Sequence, residues 1–235
     1  MARNEIALVT GANKGIGKEI ARQLVAEGFR VLVGSRSEER GRAAAEELGA
    51  RAVALDVTDQ ASVDGAAKFV ADEYGRLDVL VNNAGVSLEA GARPSELSAD
   101  VMRELYDTNV FGMARVTNAF VPLLRASAAP RIVNVSSELG SITLAGERSP
   151  HRPGLLAYNS AKTAVNAMTV QYANDLIDDG IRVNAICPGY CATDLNGNRG
   201  VLDPSEGAKV AVRLALTGAD GPTGEFHAAA GNLPW

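Results

Sequence analysis

The chain has 235 residues, of which 46% are hydrophobic and 22% charged, and its formal net charge at pH 7 is −5. This length suits one large α/β domain, and the acidic balance argues against a nucleic-acid or anionic-membrane partner. No segment approaches the roughly 18 uninterrupted apolar residues of a membrane span, and the first strand pattern begins too early for a signal peptide, so we expect a cytoplasmic protein.

Apolar runs typical of strands alternate along the chain with helical patterns. The predicted strands are Ile6–Thr10, Arg30–Gly34, Ala52–Asp56, Val79–Asn82, Arg131–Val135, Arg182–Ile186 and Gly224–His227. The predicted helices are Gly15–Ala26, Glu38–Leu48, Gln60–Tyr74, Ala99–Leu124, Leu155–Ile177 and Pro204–Leu216. Gly146–Pro153 and Asn196–Asp203 are predicted loops. Because continuous apolar strands belong to parallel sheets covered on both faces, residues 1–235 are predicted to form a single α/β domain of Rossmann type, doubly wound, with about seven strands.

The first predicted strand leads directly into a glycine-rich segment, Gly11-Ala-Asn-Lys-Gly15-Ile-Gly17, and a helical pattern follows. Glycines allow the backbone to turn tightly and to approach a pyrophosphate closely, while the helix N-terminus offers free N–H groups. This order of strand, turn and helix predicts a dinucleotide-binding site. The alternative is an ordinary tight turn between a strand and a helix.

Two chemically complementary side chains, Tyr158 and Lys162, are four residues apart on the predicted helix Leu155–Ile177. Positions i and i+4 lie on one helix face. A cation beside a phenol favours the phenolate and lowers its pKa from about 10, so the pair is a candidate for proton transfer. The alternative is a half-buried tyrosine beside a solvated lysine.

Further motifs occur at the ends of the predicted strands and on one helix. They are Asn82-Asn-Ala-Gly85, Asn109, Asn134-Val-Ser-Ser137, and Pro188-Gly189 with Thr193. Together with the glycine turn and the Tyr158–Lys162 pair, these motifs resemble the short-chain dehydrogenase/reductase family over nearly the whole chain. The Asn-Lys within the glycine turn and the Cys-Pro-Gly after the sixth strand are similar to the carbonyl reductase branch.

The resemblance implies roles for four catalytic residues. Tyr158 would be the general acid in carbonyl reduction, and Ser137, rather than Ser136, would hydrogen-bond the carbonyl oxygen. Lys162 would lower the pKa of Tyr158 and hold the nicotinamide ribose. Asn109 would hold a water that connects Lys162 to solvent; a locally bonded helix asparagine is the alternative.

The resemblance also implies a cofactor site, and the second strand indicates which cofactor is bound. Ser35 stands where an NAD-binding protein would carry an acidic residue, and Arg36 follows it. A guanidinium suits the 2′-phosphate of NADP(H), with Lys14 as a second cation, whereas a solvated arginine is the alternative. The expected cofactor-binding residues are Gly11, Asn13, Lys14, Gly15, Ile16, Gly17, Ser35, Arg36, Asp56, Val57, Asn83, Ala84, Gly85, Tyr158, Lys162, Pro188, Gly189, Cys191 and Thr193.

The sequence therefore predicts an NADPH-dependent reductase of ketones or aldehydes that acts on a small-molecule substrate. A secondary-alcohol dehydrogenase or ketoreductase of a biosynthetic pathway, and a non-catalytic NADP(H)-binding sensor, are the alternatives. Cys187 and Cys191 are expected to be free thiols, and no metal site is expected. A homo-oligomer, either a dimer or a tetramer, and a monomer both remain open, because the segment between Ser137 and Tyr158 is of intermediate length for the family.

Overall fold

A computed structural model describes residues 3–89, 92–147 and 155–235. Its strands are β1 Ile6–Thr10, β2 Arg30–Ser35, β3 Arg51–Ala54, β4 Val79–Asn82, β5 Arg131–Val135, β6 Arg182–Ile186, β7 Phe226–Ala228 and β8 Gly231–Asn232. Its helices are α1 Gly15–Ala26, α2 Glu38–Leu48, α3 Gln60–Tyr74, α4 Ala99–Tyr106, α5 Gly112–Leu124, α6 Ile142–Gly146, α7 Leu156–Asp175 and α8 Pro204–Ala215.

All of these strands join one sheet in the order β3-β2-β1-β4-β5-β6-β7-β8. The strands from β3 to β7 are parallel, and the short β8 pairs antiparallel with β7. The sequence does not predict β8, which adds one strand to the expected seven. The predicted class, a parallel α/β sheet of Rossmann type, is confirmed.

The two largest hydrophobic clusters among the described residues lie on opposite faces of the sheet, because successive strand side chains alternate between faces. Ala7 and Val9 of β1 pack with α1, α2 and α8, whereas Ile6 and Leu8 pack with α3, α5 and the end of α7. This two-sided burial is the reason that the strands are continuous apolar runs.

The predicted helix Ala99–Leu124 is interrupted. Residues Asp107–Phe111 form a π-helical turn between α4 and α5. Such a turn inserts an extra residue into the helix and frequently marks a functional site. Asn109 lies within it, so the irregularity falls on a residue that the sequence assigns to catalysis.

Strand β3 ends at Ala54, two residues before the predicted end at Asp56. The Asp56 side chain starts a turn instead, since its Oδ1 accepts hydrogen bonds from the N–H of Thr58 at 3.0 Å and from the Thr58 hydroxyl at 2.7 Å. This local bonding competes with continued strand pairing.

The two predicted loops differ in how much of them the structure describes. Most of the predicted loop Gly146–Pro153 lies outside the described residues, and α6 ends at its first residue. The other predicted loop, Asn196–Asp203, begins at the last residue of a 3₁₀ turn, Asp194–Asn196, and its Leu202 pairs with Cys191 in an isolated bridge.

Cys187 and Cys191 are free and buried. In the described parts of the chain, no helix is sufficiently long and apolar to cross a membrane. The same residues contain no group of three or more His, Cys, Asp or Glu side chains that could hold a metal ion.

Candidate active site

The motifs that the sequence singles out lie at one edge of the sheet. The parallel strands β1, β4, β5 and β6 are consecutive neighbours, so their carboxyl ends meet there. Gly11 follows β1, Asn83 follows β4, Ser136 follows β5 and Cys187 follows β6. Ligands of open α/β sheets bind at such an edge, in the crevice where the strand order reverses, which here lies between β1 and β4.

The glycine turn after β1 has the backbone that only glycine adopts readily. Gly11 has φ +63° and Gly15 has φ +56°, both in the left-handed region. A side chain at Gly17 would overlap the amide of Asn83. The Asn83 Nδ2 donates to the carbonyl oxygen of Thr10 at 2.9 Å, so this side chain fixes the turn from the β4 side.

The first turn of α1 is open to an anion. Lys14 is its N-cap residue, and no side chain among the described residues caps that end. Free N–H groups and the positive end of the helix dipole are thus available beside the glycines, which fits the pyrophosphate of a dinucleotide. Lys14 itself pairs with Asp194 at 2.8 Å, and its ammonium lowers the pKa of that carboxyl.

The end of β2 presents one cation. Arg36 is exposed and makes no ion pair with any residue that the structure describes. Ser35 is buried, and its hydroxyl donates its proton to the carbonyl oxygen of Ser37 at 2.9 Å. Of the two predicted residues, only Arg36 is exposed.

Several other expected cofactor residues lie after β3 and β6. Val57 is buried, and Gly112 of α5 packs closely against it. After β6, Gly189 has φ +79°. The Thr193 methyl would lie 3.5 Å from a side chain built at Gly15, so the β6 loop and the glycine turn face each other. Cys191 is buried, and its thiol donates to the carbonyl oxygen of Pro188 at 3.3 Å, which stabilises the loop rather than exposing the sulfur.

Helix α7 brings the predicted catalytic pair together. The Lys162 ammonium lies 5.6 Å from the centroid of the Tyr158 ring. It also donates to the carbonyl oxygen of Val135, at the end of β5, at 2.7 Å. Lys162 is only 5% exposed. The alternative interpretation of Lys162 as a solvated lysine is therefore wrong.

Burial sets the proton affinities of both side chains. It raises the pKa of Tyr158 to about 12, and the negative charge of a Cys187 thiolate would act in the same direction. It lowers the pKa of Lys162 to about 8, although that thiolate would oppose the shift. Burial dominates the pKa of Tyr158 in this structure, because loss of hydration disfavours the phenolate, and the lowering effect of Lys162 stays a prediction. At neutral pH Tyr158 holds its proton.

Asn109 binds a backbone segment on the other side of the crevice. Its Oδ1 accepts from the N–H of Val86 at 2.8 Å, and its Nδ2 donates to the Val86 carbonyl oxygen at 2.9 Å. Both amide groups are therefore used to hold the chain after β4. The side chain bonds to a segment distant in sequence, not locally within its helix.

The two serines after β5 have different surroundings. Ser136 is buried, and its hydroxyl donates to Asn166 Oδ1 at 2.5 Å. Ser137 is less buried, and its Oγ accepts from the N–H of Leu139 at 3.2 Å. Among the described residues, no acceptor takes the proton of the Ser137 hydroxyl, which suits the role that the sequence gives it.

A small cavity of about 10 Å³ is lined by residues that include Asn82, Asn109 and Lys162. This is the order of space that one water needs. The Oδ1 of Asn82 is buried without a hydrogen-bond partner among the described residues, whereas its Nδ2 donates to Thr117 and Asn134. The cavity thus offers a polar place for the water that the sequence-based interpretation puts beside Asn109.

Two residues of the site are missed by the sequence interpretation. Cys187 is the only other titratable group that influences the pKa of both Tyr158 and Lys162 among the described residues. Glu89 binds the backbone at the start of α7. Cys187 and Glu89 both act on α7 from positions far away in sequence, so no local sequence pattern could have identified either residue.

Comparisons with known proteins agree with this geometry. A family model described as short chain dehydrogenase matches residues 5–201. The chain is 37% identical over 299 residues to (-)-isopiperitenone reductase of Mentha piperita, with 94% of this chain and 95% of that protein covered. It is 35% identical over 270 residues to carbonyl reductase (NADPH) 1 of Bos taurus, with 95% of each covered. The solved structure of salutaridine reductase from Papaver somniferum superposes with a TM-score of 0.83 at 30% identity, covering 95% of this chain and 99% of that one.

Proposed function

The chain belongs to the short-chain dehydrogenase/reductase family, and from this we propose that it reduces ketones or aldehydes with NADPH, using Tyr158 as the general acid. Its relatives include a carbonyl reductase, a (-)-isopiperitenone reductase and a (+)-neomenthol dehydrogenase, names that support an oxidoreductase acting on carbonyl or alcohol groups. The observation that carries the finer proposal is the pair on α7, in which the ammonium of the buried Lys162 lies 5.6 Å from the ring of the partly buried Tyr158.

The protonation state of Tyr158 favours reduction. Its pKa of about 12 keeps the phenol neutral at pH 7, so it has a proton to give as negative charge develops on the carbonyl oxygen. The hydroxyl of Ser137 would donate a second hydrogen bond to that oxygen and stabilise the same charge. The cofactor, when bound, supplies the hydride.

Lys162 and Asn109 would support the acid. With a pKa of about 8, Lys162 is mainly protonated at pH 7 and can stabilise negative charge on the Tyr158 side. The cavity lined by Lys162, Asn109 and Asn82 would hold one water, which would connect Lys162 to solvent protons so that Tyr158 regains its proton after each turnover. Lys162 would thus stabilise charge on Tyr158, and Asn109 would help to hold the water that relays protons.

The preference for NADPH rests on Arg36. A carboxylate at the end of β2 would bind a ribose hydroxyl and repel a phosphate, but this position carries Ser35, whose hydroxyl is turned inward. The exposed guanidinium of Arg36 can form two parallel hydrogen bonds to a 2′-phosphate. The name of the bovine relative, which specifies NADPH, supports the same choice.

The first experiment is to follow the absorbance of NADPH, and separately of NADH, with purified protein and a panel of ketones, aldehydes and quinones. The expected result is turnover with NADPH on at least one carbonyl. Tyr158→Phe removes only the phenolic hydroxyl, so it should abolish turnover and leave NADPH affinity nearly unchanged.

Tyr74→Phe is the matched control, because Tyr74 closes α3 away from the sheet edge that carries the site and packs against Phe69. This variant should retain wild-type turnover. Turnover that survives Tyr158→Phe refutes the assignment of the acid. Tight NADPH binding without turnover on any carbonyl would favour the sensor instead.

A further inference from the structure

The segment after β4 contacts α7, the helix that carries Tyr158 and Lys162, through the carboxylate of Glu89. Glu89 Oε1 accepts from the backbone N–H of Ala157 at 2.9 Å, and Oε2 accepts from that of Tyr158 at 2.8 Å. These N–H groups are among the four at a helix start that have no partner within the helix. Each carboxylate oxygen is therefore used once, on adjacent amides of the first turn.

Helix α7 has no other means of closing that end within the described residues. Leu155 precedes its first residue and supplies no side-chain cap, and the first turn contains no acidic residue. A carboxylate at a helix N-terminus forms charge-assisted hydrogen bonds and also interacts favourably with the helix dipole. Glu89, from a distant part of the chain, thus performs the task that an N-cap residue usually performs locally.

The same segment is held at its other end. Val86 is bound at both its N–H and its carbonyl oxygen by Asn109 of the π-helical turn. The residues from Val86 to Glu89 therefore join the π-helical turn to the first turn of α7. They form a direct connection between Asn109 and the backbone of Tyr158.

Lys162 is anchored by different contacts. Lys162 lies one helical turn after Tyr158 on α7, and its ammonium donates a hydrogen bond to the carbonyl oxygen of Val135 on β5. Loss of the Glu89 carboxylate would release the first turn of α7 while Lys162 stays attached to the sheet. The phenol of Tyr158 would then move relative to both Lys162 and Ser137.

We propose that Glu89 is a positioning residue for Tyr158: its carboxylate fixes the first turn of α7 and so holds the general acid at the reacting carbonyl. The inference rests on the proposed function, because it assigns Glu89 a part in that reaction. A displacement of about 1 Å at a reacting group can lower a rate about 100-fold. Cofactor affinity should not change, because Glu89 is not among the residues expected to bind the dinucleotide.

The test compares Glu89→Ala and Glu89→Gln with Glu73→Ala, an exposed glutamate on α3 that serves as the matched control. Glu89→Ala should lower kcat about 10- to 100-fold without changing the KM for NADPH. Glu89→Gln keeps an oxygen acceptor and should recover part of the rate. Hydrogen exchange should accelerate at the amides of Ala157 and Tyr158, with the end of α7 unaffected.

Several results would overturn the inference. Wild-type kcat in Glu89→Ala, or unchanged exchange at those two amides, refutes it while leaving the proposed function intact. A folded Glu89→Gln protein could have the same kcat as Glu89→Ala and the same exchange rates at the amides of Ala157 and Tyr158. That result would show that the acceptor oxygen does not position Tyr158. If the wild-type protein turns over no carbonyl, both the proposed function and the positioning role fail. The exchange data then show only whether Glu89 protects the amides at the start of α7. Should Glu89→Ala not fold, the Gln variant and its exchange decide the question.

Discussion

Replacement of the buried Lys162 by Met should change how stability depends on pH. Lys162 is 5% exposed, and burial lowers its pKa from 10.5 to about 8. At about 1.36 kcal/mol per pKa unit, the charged form destabilises the fold at pH 7 by about 3 kcal/mol relative to a lysine with an unperturbed pKa. Met has a similar length and no charge, so the variant lacks this penalty.

The sign follows from proton binding. The pKa of Lys162 is lower in the folded state, so between pH 8 and pH 10.5 the unfolded chain binds more protons than the folded protein. The wild-type free energy of unfolding therefore gains a contribution that rises with pH in this window. Lys162→Met has no such contribution. Its stability relative to wild type should fall by about 2 to 3 kcal/mol between pH 7 and pH 10.

Urea unfolding of both proteins at pH 7 and at pH 10 measures this change directly. The comparison of two pH values removes the pH-independent loss of the hydrogen bond to Val135, which either charge state of the amine can donate. Lys68→Met is the matched control, because Lys68 is an exposed lysine on α3, and its stability difference from wild type should stay nearly constant. A Lys162→Met difference that is equal at both pH values would refute a strongly lowered pKa. The variant should also lack turnover.

Two further substitutions test the cofactor site. Arg36→Ala should weaken NADPH binding about 10- to 100-fold and NADH binding far less, because about 1.5 to 3 kcal/mol of charge-assisted hydrogen bonding is lost. Fluorescence titration measures both affinities, and Arg40→Ala on α2 is the control. Equal losses of affinity for the two cofactors would show that Arg36 does not bind the 2′-phosphate. Gly17→Ala should lower the melting temperature and the affinity for both cofactors, since the added methyl overlaps the Asn83 amide. Gly65→Ala on α3 meets no neighbouring atom and should instead stabilise the protein by about 0.5 to 1 kcal/mol; similar effects of the two glycine substitutions would contradict the close packing at Gly17.

Much of the fold follows from local patterns. The predicted bounds of β1, β4, β5, β6, α1, α2 and α3 match the structure residue for residue. Each of these segments has the apolar pattern and length expected for its structure, and α2 and α3 also carry local stop signals, Gly49 and Gly75, in the left-handed conformation. Where long-range contacts compete with the local pattern, the prediction fails, as in the π-helical turn at Asn109.

The candidate site divides in the same way. Because parallel strands align their carboxyl ends, motifs that follow successive strands had to meet at one edge, and the positions of Gly11, Asn83, Ser137 and Tyr158 could be inferred without coordinates. The inward turn of the Ser35 hydroxyl could not, since it depends on the packing of one residue against its neighbours.

The sequence by itself therefore determined the fold class through its periodicity, and its motifs carried the resemblance to the family, because both are local properties of the chain. Only the tertiary structure decided the charge states of the residues at the sheet edge and the means by which they are held. Burial sets the pKa of Tyr158 and Lys162, and burial depends on every element packed around them. The contact from Glu89 to α7 joins segments separated by 68 positions for Ala157, and no local pattern encodes such a contact.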